Sequence, residues 1–257
     1  MAHDPAMGHP MNVSIVSPQA YARAGGALYL LIIAAGMFGA FFARGPLIVS
    51  GNAVATASHI ADSMPLWRAG IAADILMHMC DIGVMLVFYV LLSPVSRNIA
   101  LFALLSNVVQ TSVLVANKLN LLIPAFLLGD AEYLRAFTPH QLQVLSYVSL
   151  KTHDYGFGIG LIFFGMTCMA LGYLIFRSGY LPKVLGLGMG LAGACYIFNS
   201  FVLILAPELA SRLFPAILLP PFIAELSMAL WLLVKGVNLS KWRERQDAIA
   251  RVRDGAS

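Results

Sequence analysis

The sequence predicts an all-α fold: a polytopic transmembrane helix bundle of about six spans, with both termini in the cytoplasm. Three observations carry this. Of the 257 residues, 60% are apolar and only 11% charged, against about 25% charged in a soluble domain. Mean hydropathy is +0.82. The apolar residues fall into six runs, each near the ~20 residues that a membrane-crossing helix needs. Six such helices consume about half of the chain, which leaves no room for a large soluble domain. Disorder, a nucleic-acid-binding arm and an ordinary water-soluble enzyme are excluded on the same grounds.

Taken in order, residues 1–20 read as a flexible tail, 21–238 as the membrane domain and 239–257 as a basic cytoplasmic tail. Span one runs from Ala22 to Ala43 and stops at Arg44-Gly45-Pro46. Residues 44–64 read as a polar loop. Span two covers Leu66 to Leu92 and ends before Ser93-Pro94, and span three covers Ile99 to Leu127. Gly129 to Lys151 lies outside the membrane. There Thr138-Pro139 has the form of an N-cap followed by proline at the first helical position. Leu142, Leu145, Val148 and Ser149 follow at helical spacing, and this segment is expected to lie along the interface. Spans four, five and six cover His153 to Phe176, Val184 to Ala206 and Phe214 to Lys235. Phe42-Ala43-Arg44-Gly45-Pro46 and Phe176-Arg177-Ser178-Gly179 end spans one and four in similar helix-end chemistry.

Lysine and arginine set the orientation. With the N-terminus inside, ten fall on the cytoplasmic side: Arg23, Arg97, Arg177, Lys183, Lys235, Lys241, Arg243, Arg245, Arg251 and Arg253. Five fall opposite: Arg44, Arg68, Arg135, Lys151 and Arg212. Leu239 to Val252 reads as a basic amphipathic helix on the membrane surface. Cys80, Cys168 and Cys195 lie in apolar runs without a CxxC pair, so they read as buried thiols.

Ionisable groups within a span are costly, and each is a functional candidate. Asp74, His78 and Asp81 in span two are spaced i, i+4, i+7 and share one helix face. Span three carries Asn117 and Lys118, span four opens with His153 and Asp154, span five carries Asn199 and span six Glu225. At about 1.5 Å per residue, Asp74, His78 and Glu225 lie roughly 12, 18 and 16 Å below the outer ends of their spans. Asn199 lies roughly 22 Å above the inner end of span five. Lys118, Asn117, His153 and Asp154 are placed at the outer mouth. The set falls in one layer between the outer interface and the midplane, which predicts a polar pocket open to the extracytoplasmic side.

Three functions fit this layer. The first is a carrier-like protein binding a small molecule, ion or lipid ligand. The second is an intramembrane metal-dependent enzyme acting on lipid, with His78, His153, Asp74 and Glu225 as candidate ligands. The third is a structural or accessory subunit of a membrane complex, with the polar layer as packing glue. His3, Met7, His9 and Met11 resemble a soft-metal tract. No phosphate loop, dinucleotide fingerprint or nucleophile elbow is present, and Tyr29, Tyr89, Tyr173 and Trp231 read as packing and interfacial residues.

Four blocks carry a family resemblance: Ala27 to Ile48 (ALYLLIIAAGMFGAFFARGPLI), Leu66 to Pro94 with GIAAD at Gly70–Asp74, His153 to Pro182 (HDYGFGIGLIFFGMTCMALGYLIFRSGYLP) and Phe214 to Asn238. They resemble a bacterial multi-pass membrane family catalogued as a domain of unknown function. The resemblance implies a helical protein of the bacterial inner membrane. It supplies no activity, so no catalytic role is carried over.

Overall fold

A computed structural model describes residues 17–254. The N-terminal tail, apart from its last few residues, lies outside the described residues, as does the His3–Met11 tract. The chain forms ten α-helices among the described residues: α1 (Pro18–Met37), α2 (Ala53–Asp62), α3 (Met64–Leu92), α4 (Arg97–Asn117), α5 (Leu119–Leu127), α6 (Pro139–Ser178), α7 (Lys183–Leu205), α8 (Pro207–Leu213), α9 (Leu219–Val234) and α10 (Leu239–Asp254). Six helical stretches are long and apolar enough to cross a membrane: Pro18–Arg44, Met64–Leu92, Arg97–Leu127, Pro139–Ser178, Lys183–Leu205 and Ala216–Val234. An even number of crossings puts the two ends of the membrane region on the same side.

Each span is apolar all round, yet one face turns inward. On α3, Met79, Ile82 and Leu86 are exposed, while His78, Met85 and Phe88 are buried. The exposed set is what lipid would cover. The buried set joins a large core built on Tyr29, Phe88, Leu174, Met189, Met228 and Leu232. A smaller core of Leu47, Ile60, Trp67, Ile71, Leu121 and Leu150 caps the opposite end. There the Trp67 indole donates to the Leu121 carbonyl at 2.8 Å.

Three expectations are corrected. First, the segment after Thr138 does not lie along the interface: it is continuous with span four in the 40-residue α6. A helix of that length measures about 60 Å, twice the hydrocarbon thickness. Neither Gly nor Pro interrupts residues 140–155. Thr138 and Gln141 cap the start reciprocally, and Ser146, Ser149 and Leu150 are buried, so propensity, cap and packing agree on one rod. Second, residues 44–64 are not simply loop: they contain α2, started by the Asn52 side chain accepting from the Ala55 amide. Third, span three is broken at Lys118 between α4 and α5.

The similar endings of spans one and four differ in structure. Span one widens into a π-helix over Phe38–Arg44. Span four closes on Gly179, whose φ of +78° is the left-handed cap that glycine adopts without strain. Tyr180 then donates to the Leu91 carbonyl at 2.6 Å. Burial pushes its phenol up from the ordinary range, which keeps it a donor. At the same end Gln19 receives the Val237 amide and donates to the Lys235 carbonyl, tying the start of α1 to the end of α9. Leu239 and Trp242 of α10 pack against the large core, and Arg245 donates to the Pro94 carbonyl.

Candidate functional site

The charged residues of the spans separate into two groups. One group, named outer for the side on which the basic-residue count is expected to place it, is centred on Asp74, whose side chain is 1% exposed. Arg44 Nη1 donates to its Oδ2 at 2.6 Å and Nη2 to its Oδ1 at 3.3 Å. Lys118 Nζ donates to the same Oδ2 at 2.9 Å and stands 3.5 Å from His153 Nε2. His153 Nδ1 is 3.9 Å from Asp154, whose side chain is 58% exposed. The network therefore runs from an exposed carboxylate at the surface to a buried one.

Four spans build this group, and local structure explains each contribution. The π-helix at Phe38–Arg44 shifts the register of the last turn, and Arg44 turns back toward α3. Glycine allows the close approach: a Cβ on Gly39 would stand 2.4 Å from Asp74 Oδ1, and one on Gly70 would stand 2.6 Å from the Ala43 Cβ. Lys118 occupies the break between α4 and α5 and packs over the Phe157 ring at 6.0 Å. Asn117 donates to the His153 carbonyl at 2.9 Å, and Asn120 donates to Asn117 at 3.0 Å. Gly156 on α6 leaves space for this amide, since its Cβ would meet Asn117 at 2.2 Å.

The inner group holds two carboxylates. Glu225 is 9% exposed and accepts from Tyr29 at 3.0 Å and Tyr196 at 2.5 Å. Asp81 accepts from Thr111 at 2.7 Å and Asn107 at 3.1 Å, and Asn107 also donates to Gln110. His78 lies one turn from Asp74 and one from Asp81 on α3; its Nε2 is buried and has no hydrogen-bond partner.

The expected single layer is thus partly assembled. Asp74, Lys118, His153, Asn117 and Asp154 come together. Asp81 and Glu225 belong to the deeper group, with His78 between. Asn199 is half-buried and enters neither set of hydrogen bonds. The expected mouth is closed, with Lys118 3% and His153 7% exposed. The four metal candidates His78, His153, Asp74 and Glu225 do not converge, and among the described residues no three His, Cys, Asp or Glu side chains form a metal-holding group. Two cations occupy the positions beside Asp74 that a metal ion would need. Arg44, Tyr29 and Thr111 were not singled out as site residues from sequence, whereas Tyr196 stands with Asn199 among the polar residues of span five. The arginine reads as a helix stop, and Tyr29 reads as packing.

A family model described as a domain of unknown function (DUF4386) matches residues 24–236. The chain belongs to this family. A relative in Archaeoglobus fulgidus, named an uncharacterized protein, is 26% identical over 161 residues, covering 63% of this chain and 80% of the relative. No solved structure matches. The DUF4386 region takes in every residue of both polar groups, from Tyr29 to Glu225, and leaves out the basic helix α10 after Gly236.

Proposed function

We propose that this protein is a carrier-like binding protein of the bacterial inner membrane, with both termini cytoplasmic, and that its outer polar group binds a small anion. One observation supports the reading: Asp74 is a single carboxylate between two cations, Arg44 and Lys118. Taken as ions, the three carry one uncompensated positive charge in a site where Asp74 and Lys118 are buried and Arg44 is half-buried. Such a charge is costly within a membrane and is relieved when an anion joins it. Arginine presents two parallel donors to a carboxylate or phosphate. A ligand anion would take over the Arg44 fork from Asp74, loosening the contact between span one and α3. Asn117, His153 and Asp154 would form its entrance, and His78, Asp81, Asn199 and Glu225 would line or support the inner part of the path.

The test uses purified protein in liposomes on a solid-supported membrane. Buffer is exchanged rapidly to acetate, lactate or phosphate, with chloride balancing the ionic strength. The reading expects an electrical response to at least one of the three that Arg44→Gln or Lys118→Gln abolishes, since these two cations supply the charge that draws the anion. Silence toward all three, or responses that survive both substitutions, would overturn it. A second reading, an accessory subunit of a membrane complex, is favoured by the hydrogen bonds that close the Asp74 group on itself. A stable partner retained through purification in mild detergent would support that reading.

A further inference from the structure

The inner group goes beyond the anion site and does not depend on it. All six spans meet there, each with a polar or titratable side chain. Span one brings Tyr29, α3 Asp81, α4 Asn107 and Thr111, α6 Thr167 and Cys168, α7 Tyr196 and α9 Glu225. Two carboxylates stand in this layer, Glu225 buried and Asp81 half-buried. Among the described residues neither forms an ion pair, since the ion pairs present involve Asp74 and Asp154. Two uncompensated negative charges in a membrane-embedded core are expensive, and the cost falls when they hold a proton.

The space beside Asp81 and Tyr29 sets the size of what can bind. Tyr29, Asp81, Asn107 and Thr167, together with six apolar side chains, line a cavity of about 10 Å³. That is close to the ~10–15 Å³ needed for one water, and Tyr29, Asp81, Asn107 and Thr167 are the polar side chains at its otherwise apolar wall. An organic ligand does not fit. Tyr29 faces this cavity and also donates to Glu225.

We infer that Asp81 and Glu225 form a proton-holding pair coupled through one water in this cavity and the Tyr29 hydroxyl. The transfer balances without a further reactant. The Asp81 carboxyl gives its proton to the water, and the water gives one to the Tyr29 oxygen. Tyr29 passes its own hydroxyl proton to Glu225 Oε2. Asp81 ends as carboxylate and Glu225 as carboxylic acid, with the water and the phenol restored. Among the described residues, Tyr196 and Cys168 are the other titratable groups facing Glu225, and neither supplies a positive charge.

Infrared spectroscopy of the protein in liposomes tests this. The carboxylic-acid stretch is followed against pH in water and deuterium oxide, for the wild type, Asp81→Asn, Glu225→Gln and Tyr29→Phe. Thermal unfolding and gel filtration check that each variant is folded. The pair is expected to titrate in two deuterium-sensitive steps. Each single carboxyl variant should titrate in one step, displaced from both wild-type midpoints by at least about one pH unit, a tenfold change in proton affinity. Tyr29→Phe keeps both carboxyls and should bring their midpoints to those of the single variants; it also serves as the test if a carboxyl variant does not fold. Wild-type steps that equal the sum of the two single variants, or no titrating carboxylic-acid band, would overturn the inference. Neither outcome bears on the anion response of the Asp74 group.

Discussion

Arg44 and Asp74, 30 positions apart, form a two-pronged ion pair across the contact between the end of span one and the outer half of α3. Lys118 shares the same carboxylate, so Asp74 neutralises cations from two other spans. Removing it strands both. Asp74→Asn is expected to lower folding stability by about 3–5 kcal/mol, the usual result of leaving a buried charge unpaired. Adding Lys118→Met to Asp74→Asn should restore part of that loss, because Arg44 is 15% exposed and reaches water more readily than Lys118. Thermal midpoints in detergent decide this, and a double variant less stable than the single one would refute it.

Glycines mark where helices approach. A Cβ at Gly39 strikes Asp74, one at Gly156 strikes Asn117, and one at Gly186 lies 2.7 Å from the Gly172 carbonyl, while Gly190 has nothing within 4 Å. Alanine at Gly39, Gly156 or Gly186 should therefore destabilise by about 1–3 kcal/mol. Gly190→Ala should be neutral or slightly stabilising, since alanine is the better helix former. Four thermal melts, compared with the wild type, give the ranking.

Gly236 combines two constraints. Its φ is +67°, and an added Cβ would stand 2.5 Å from the Gln19 side chain. Gly236→Ala is expected to cost about 1–3 kcal/mol from backbone strain and to free the start of α1 from the end of α9. Amide hydrogen exchange should rise at Gln19–Arg23 and Lys235–Val237. Unchanged protection in both segments would count against the clamp.

Orientation is checked by labelling. Glu132 and Glu244 are both exposed, one between α5 and α6, the other on α10. A membrane-impermeant maleimide added to intact cells should label Glu132→Cys and leave Glu244→Cys unlabelled until the cells are opened. The reverse pattern would invert the topology read from the basic residues.

Much of the bundle was legible in the sequence, but less of the site. Uninterrupted apolar runs report spans directly, because lipid cannot satisfy a charged or irregular segment. Asp74, Lys118 and His153 were legible as candidates for the same reason. Arg44 was not, since an arginine just past an apolar run reads as a boundary and only the π-helical turn brings it back onto Asp74. The pairing of Glu225 with Tyr29, 196 positions away, leaves no local spacing signal. The 40-residue α6 was divided because its first turns carry exposed polar residues, although nothing in them breaks a helix.

By itself the sequence determined the class of fold, the number of spans and the scarcity of charge within them. These follow from the cost of transferring each residue to lipid, which is a property of residue type and local order. The tertiary structure alone decided the partners: that Lys118 and Arg44 share Asp74, that Glu225 sits between two tyrosines, and that Asp81 and Tyr29 face one water-sized cavity. A side chain's partner depends on which faces of different helices meet, and contacts across the bundle leave no period in the chain.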